Sequence, residues 1–216
     1  RSKFRTGIWE IIKNLNPHWD AKLNMRHWHF SVEAEEFQKQ GGVEFEKASY
    51  AMGQLNKAIA LIDEIRPLRA KEDSQRWRGA YDLMNAQCLA YRVRLFQYLL
   101  VLDDHSATGR KPKDPKHNEW HLVYRQKPMD PTEKQFENIK KVFKFKESRS
   151  EYLALMQSEM QKADEAFDAV TKEHAGTPWA VRSIWDKAKR FGFRFDSRFW
   201  DPKYREVGKR IKVPKF

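Results

Sequence analysis

From Ser74 to His105 the chain reads SQRWRGAYDLMNAQCLAYRVRLFQYLLVLDDH, without proline and with a single glycine, Gly79. Steps of alternating four and three residues land on Trp77, Tyr81, Met84, Cys88, Tyr91, Leu95, Tyr98 and Leu102. Every landing is apolar or aromatic, which is the α-helical period held for many turns. A second row, Ala86, Leu89, Val93, Phe96 and Leu100, lies on an adjacent face. At about 1.5 Å per residue the helix runs roughly 45–50 Å. A helix apolar over so much of its circumference has to be covered from more than one side, so the rest of the chain is organised around it.

The flanking segments carry the same period with clear stops. Phe4, Ile8, Ile11, Ile12 and Leu15 form a short amphipathic helix that Asn16-Pro17 ends. Residues 18–42 are aromatic, charged and aperiodic, and Gly41-Gly42 is expected to close them. Ala48, Met52, Leu55, Ile59 and Ile62 mark a helix from Val43 to about Ala70, bent or ended at Pro67. A tight turn then leads to Ser74, the expected N-cap of the long helix. The two helices are expected to pack as an antiparallel hairpin.

Residues 106–131 hold four prolines and one short apolar island, Trp120 to Tyr124. They read as a long loop pinned to the body by Trp120. Thr132 with Gln135, and Ser148 with Glu151, have capping-box spacing and open two further helices. The second of these carries the stripe Tyr152, Met156, Met160, Ala163, Phe167, Val170 and His174. Gly176 suits a helix C′ position, and Thr177-Pro178 opens a last helix to about Arg190. Phe191, Phe193 and Phe195 then alternate with Gly192, Arg194 and Asp196, the period of an extended strand-like tail.

The expected fold is all-α: long antiparallel helical hairpins in a tetratricopeptide-like bundle, with a long proline-rich loop and an extended C-terminal tail. The expected divisions are 1–42 (N-terminal helix and irregular aromatic segment), 43–190 (bundle, with loop 106–131) and 191–216 (basic, aromatic tail). The 216 residues contain 42 Lys+Arg against 30 Asp+Glu, a net charge of +12. That balance admits nucleic acid, an anionic surface or an acidic protein as partner. No segment approaches the roughly 18 apolar residues of a membrane span. The single cysteine, Cys88, excludes an internal disulfide and falls in the apolar row of the long helix, where a buried thiol is expected.

Two resemblances add to this reading. The join from Ala166 to Ala180 resembles the turn between paired helices of bacterial tetratricopeptide-like proteins. The set RWRGAYDL (Arg76–Leu83), QCLAYRVRLFQYLL (Gln87–Leu100), EHAGTPWA (Glu173–Ala180) and FWDPKY (Phe199–Tyr204) resembles the helical region of large planctomycete proteins, where it follows a von Willebrand factor A domain. These are packing motifs, and no DxSxS metal loop of an A domain occurs in the chain. The resemblance implies a helical piece of a larger adhesive or scaffolding protein, exported or surface-associated.

Chemistry-bearing patterns are sparse. His27 with His29, and His117 with His121 in HNEWH, are the close histidine pairs. The glutamate of HNEWH sits one place later than in the zincin HExxH, and these histidines are expected to be exposed or capping, with no metal. Asp103-Asp104-His105 points three ways on a helix. No GxGxxG, GxxxxGK[ST] or GxSxG occurs, so no cofactor is expected.

FGFRFDSRFW and KKVFKFK mix aromatic and basic residues as nucleic-acid surfaces do. The same types also anchor protein contacts. The expected function is therefore a non-enzymatic scaffold or protein-interaction domain, within a larger complex or homo-oligomer. Phe193, Phe195, Arg198, Phe199, Trp200, Tyr204 and Trp120 are the expected contact residues. A basic nucleic-acid-binding module, and a helical enzyme built on the His27/His29 or His117/His121 region, are the alternatives.

Overall fold

The computed structural model describes residues 2–143 and 146–210. In chain order the elements are α1 (Lys3–Asn14), β1 (Phe30–Ser31), α2 (Ala34–Ile65), α3 (Gln75–Thr108), β2 (Glu119–Arg125), α4 (Glu133–Phe143), α5 (Arg149–Glu173), α6 (Pro178–Ala188), β3 (Gly192–Arg198) and α7 (Lys203–Arg210). Short 3₁₀ turns at Ala21–Leu23 and Arg66–Lys71 complete them.

The long helix is α3, and its two apolar rows are covered over most of their length, with Tyr91 left exposed. Its first half packs Tyr81, Met84 and Cys88 against Ile8 and Ile11 of α1 and Leu55 and Ile62 of α2. On the opposite flank, Leu83, Ala86, Ala90 and Val93 meet Ala163, Phe167 and Val170 of α5. Its last turns, from Leu95 to Leu102, enter a third cluster with Phe30, Trp120, Leu122, Phe193 and the α4 residues Phe136 and Ile139. The helix stops at Gly109, left-handed at φ 53°.

Cross-links fix the direction of packing. The Tyr81 hydroxyl donates to the Ile62 carbonyl at 3.1 Å, the Tyr98 hydroxyl oxygen lies 3.3 Å from Glu44, and Gln38 donates to the Ser106 carbonyl at 3.4 Å. Numbers rise along one helix as they fall along the other, so α2 and α3 are an antiparallel hairpin. α5 and α6, joined by a short turn, also run against each other: Ser183 donates to the Phe167 carbonyl, and Arg190, just past the end of α6, pairs with Asp164 further back along α5. Capping boxes at Thr132–Gln135 and Ser148–Glu151 open α4 and α5. Ser74 occupies the N-cap of α3, but its side chain makes no capping bond; Glu72 takes the Ser74 N–H instead.

The helical body stands, and two expectations are corrected. α2 begins at Ala34 and runs through Gly41-Gly42, so residues 34–42 are helical and not irregular. Two glycines cost about 1 kcal/mol each inside a helix. Burial of Phe37 before them and Ala48 after them offsets that cost.

The fold also is not purely helical. The apolar island of the loop 106–131 is β2, the centre of a three-stranded antiparallel sheet in the order β1-β2-β3. Phe30 pairs with Trp120, and Leu122 pairs with Phe195. Trp120 is buried, as expected of a pin, and the period-two tail is β3. The extreme C-terminus expected to be basic and extended reaches α7 at Lys203–Arg210, and residues 211–216 lie outside the described residues.

Candidate functional site

Three places on this frame hold chemistry or unspent surface. The first is a cavity of about 570 Å³ between α1, α2, α3 and the inner face of the sheet. Ile12, Leu15, Leu55, Met84 and Leu95 make its walls apolar, while His27, Gln87 and Arg94 supply polar groups. Buried Arg94 donates to the Arg190 carbonyl at 2.7 Å and the Asp186 carbonyl at 2.5 Å, tying α3 to the end of α6. Cys88 also lines the cavity, but burial pushes its thiol up to about 12, so it stays protonated and unreactive at neutral pH.

The second place is the outer face of the sheet. Side chains alternate along β2: Trp120 and Leu122 point into the core, and Glu119 and His121 point the other way. The segment before β1 is held by Glu44, a buried carboxylate that accepts the Arg26 N–H at 2.6 Å. The Tyr98 hydroxyl in turn donates to the Arg26 carbonyl at 2.8 Å. His29 follows in the left-handed region, φ 63°.

That backbone brings His29 Nδ1 to 2.5 Å from Glu119 Oε2, while His121 Nε2 lies 3.3 Å from the same oxygen. Asn118 accepts the Trp200 N–H and donates to the Trp200 carbonyl, both at 2.9 Å, which sets the Trp200 ring 5.1 Å from that of His29. The sequence pairs histidines 27 with 29 and 117 with 121; the sheet instead groups 29, 119 and 121. His27 faces the cavity, where burial lowers its pKa, and His117 bonds Ser197 at 2.8 Å.

A second cluster of ligand-type residues, Asp82, Glu173 and His174, has its interior filled. Arg69 takes Asp82 with two nitrogens, at 2.6 and 2.5 Å, and Glu173 at 2.5 Å. It is an ion-pair node that fastens the turn after α2 to α3 and α5.

The third place is α6. Its buried residues are Ala180, Ser183 and Asp186, two of them polar. Asp186 is fully enclosed and receives Gln87 at 2.6 Å, Lys189 at 2.8 Å and Arg182 at 2.9 Å. Burial pushes its carboxyl pKa up, and these donors outweigh burial and leave it below the ordinary value. The apolar residues Val181, Ile184 and Trp185 face outward at 57%, 54% and 70% exposure. Sequence reading passed over this stripe, although the i, i+3, i+4 spacing of the three was there to find.

The expected contact residues divide three ways. Phe193 and Trp120 are core, and Phe195 packs on Phe30 and Phe37. Trp200 covers His29, and Arg198 stands across the sheet from Glu119. Phe199 and Tyr204 are exposed. No family model, no curated protein and no solved structure matches this chain.

Proposed function

We propose that the chain is a helical protein-interaction domain that works inside a larger assembly, with α6 as its principal contact. The reading is carried by one observation, the inverted polarity of α6. A surface helix ordinarily turns its apolar stripe inward. Here Ser183 and Asp186 are satisfied inside, and Val181, Ile184 and Trp185 stand in solvent.

Burying such a stripe returns about 25 cal/mol per Å² of apolar surface, and tryptophan is among the commonest anchors at interface centres. The matching occupant is an amphipathic helix of a neighbouring subunit or domain, laid along α6 as helices add to a stacked array. The Phe199 and Tyr204 side chains are exposed as well.

The double variant Ile184→Ser/Trp185→Ser separates docking from folding. In extracts of the native cell the unaltered protein should elute at the size of an assembly, and the variant as the free chain with the same melting temperature. Co-elution of the variant with the full assembly contradicts the proposal.

A further inference from the structure

His29 Nδ1, Glu119 Oε2 and His121 Nε2 all lie within 4.8 Å of one another. We infer that these three residues bind a divalent transition-metal ion of the zinc class. A histidine–glutamate ion pair needs one imidazole; here a second one aims its nitrogen at the same carboxylate oxygen. Two neutral imidazoles and a carboxylate are the donor set of zinc and of iron(II), whereas calcium and magnesium take oxygen ligands.

One of the donor separations already matches what such an ion needs. Ligand bonds of roughly 2.0–2.2 Å in a tetrahedron set donor atoms about 3.3–3.5 Å apart. His121 and Glu119 stand at 3.3 Å, and the 2.5 Å between His29 and Glu119 has to open by about 1 Å to admit the ion.

The scaffold is rigid where it has to be. Glu119 and His121 are i and i+2 on the central strand, hydrogen-bonded on both sides, and so leave one face of it together. His29 reaches them from a left-handed backbone, a conformation that costs a β-carbon-bearing residue energy and persists where the surroundings hold it. Here Arg26 donates from Nη1 to the His29 carbonyl at 3.0 Å, and Leu122 donates to the His27 carbonyl at 2.7 Å.

Glu119 is buried while His29 is nearly half exposed, so the group is reached from solvent on the His29 side. Trp200 forms one wall. Arg198, opposite Glu119 in register, has its guanidinium 3.9 Å from Asp196.

The test uses the full chain, dialysed against chelator and titrated with cobalt(II), whose visible d–d absorption reports low-symmetry nitrogen and oxygen ligation. One cobalt should bind per chain and be displaced by zinc. Outer-shell substitutions weaken metal sites roughly 10–100-fold, so loss of a ligand in His29→Ala or His121→Ala should weaken binding at least about 100-fold. His18→Ala, on an exposed histidine elsewhere, should change nothing. If His121→Ala does not fold, His29→Ala at the exposed end decides alone. Absence of a cobalt band in the unaltered chain, or a band of unchanged affinity in His29→Ala, overturns the site.

Discussion

At the scale of single residues, His105, in the last turn of α3, is an ionisable group at odds with its surroundings. Its imidazole is buried among Phe37, Trp120 and Phe195, with ring centroids 4.4, 4.5 and 4.7 Å away. Burial pushes its pKa down to about 4, and the charge of Arg110 pushes the same way. An unfolded chain protonates this histidine near pH 6.5. Between about pH 4 and 6.5 the unfolded state therefore binds more protons, and the fold loses stability as pH falls through that window. The loss attributable to His105 reaches on the order of 3 kcal/mol at the acid end. His105→Phe keeps the aromatic contact and removes the proton. Its urea midpoints at about pH 7 and pH 4.5 should differ much less than those of the unaltered chain. Equal pH dependence in the two proteins would locate the acid sensitivity elsewhere.

At the scale of elements, α3 shows which features local sequence settles and which it does not. Its rows, and the capping boxes that open α4 and α5, follow from spacing alone, because a helix satisfies its own backbone and needs a partner only for its side chains; its end at Gly109 lies past the His105 that the sequence reading reaches. Its one glycine has a tertiary reason. A Cβ at Gly79 would run into the indole of Trp179, which sits at the start of α6. Gly53, midway along α2, has nothing within 4 Å of that position. The same change should then act in opposite directions: Gly79→Ala should destabilise by about 1–3 kcal/mol through overpacking, and Gly53→Ala should stabilise by about 0.5–1 kcal/mol through helix propensity. Thermal melts of the two variants measure this, and a Gly79→Ala melt at or above that of the parent would mean α6 does not lie against α3 there. The strands were less legible. Trp120 to Tyr124 is short and bracketed by prolines, and its partners lie about 90 residues before it and 70 after it in β1 and β3. Only pairing register brings His29 to Glu119 and His121, so no local spacing announces that group. α6 was legible as a helix from Thr177-Pro178 but not as an inverted one, since its polarity depends on which face meets α5.

At the scale of the whole molecule, segments that sequence reading set apart are stitched to one body. β1 comes from the N-terminal segment, β2 from the proline-rich loop and β3 from the tail, and together they close one end of the helical bundle. Among the described residues no helix is long and apolar enough to cross a membrane. Of the tail residues expected to make contacts, Phe193 and Phe195 pack onto the domain's own helices, while Phe199 and Tyr204 stay exposed. That moves the weight of the interaction reading to α6, whose outward stripe is apolar while its inward polar groups are fully bonded. The most direct measurement puts a photo-crosslinking side chain at position 185 in the protein of the native cell, with position 165 on exposed α5 as the control. A face covered by one partner should yield a single discrete adduct from 185, lost when Val181 and Ile184 are changed to serine, and none from 165. Equal, diffuse labelling from both positions would show that α6 faces water in the cell and would contradict the account.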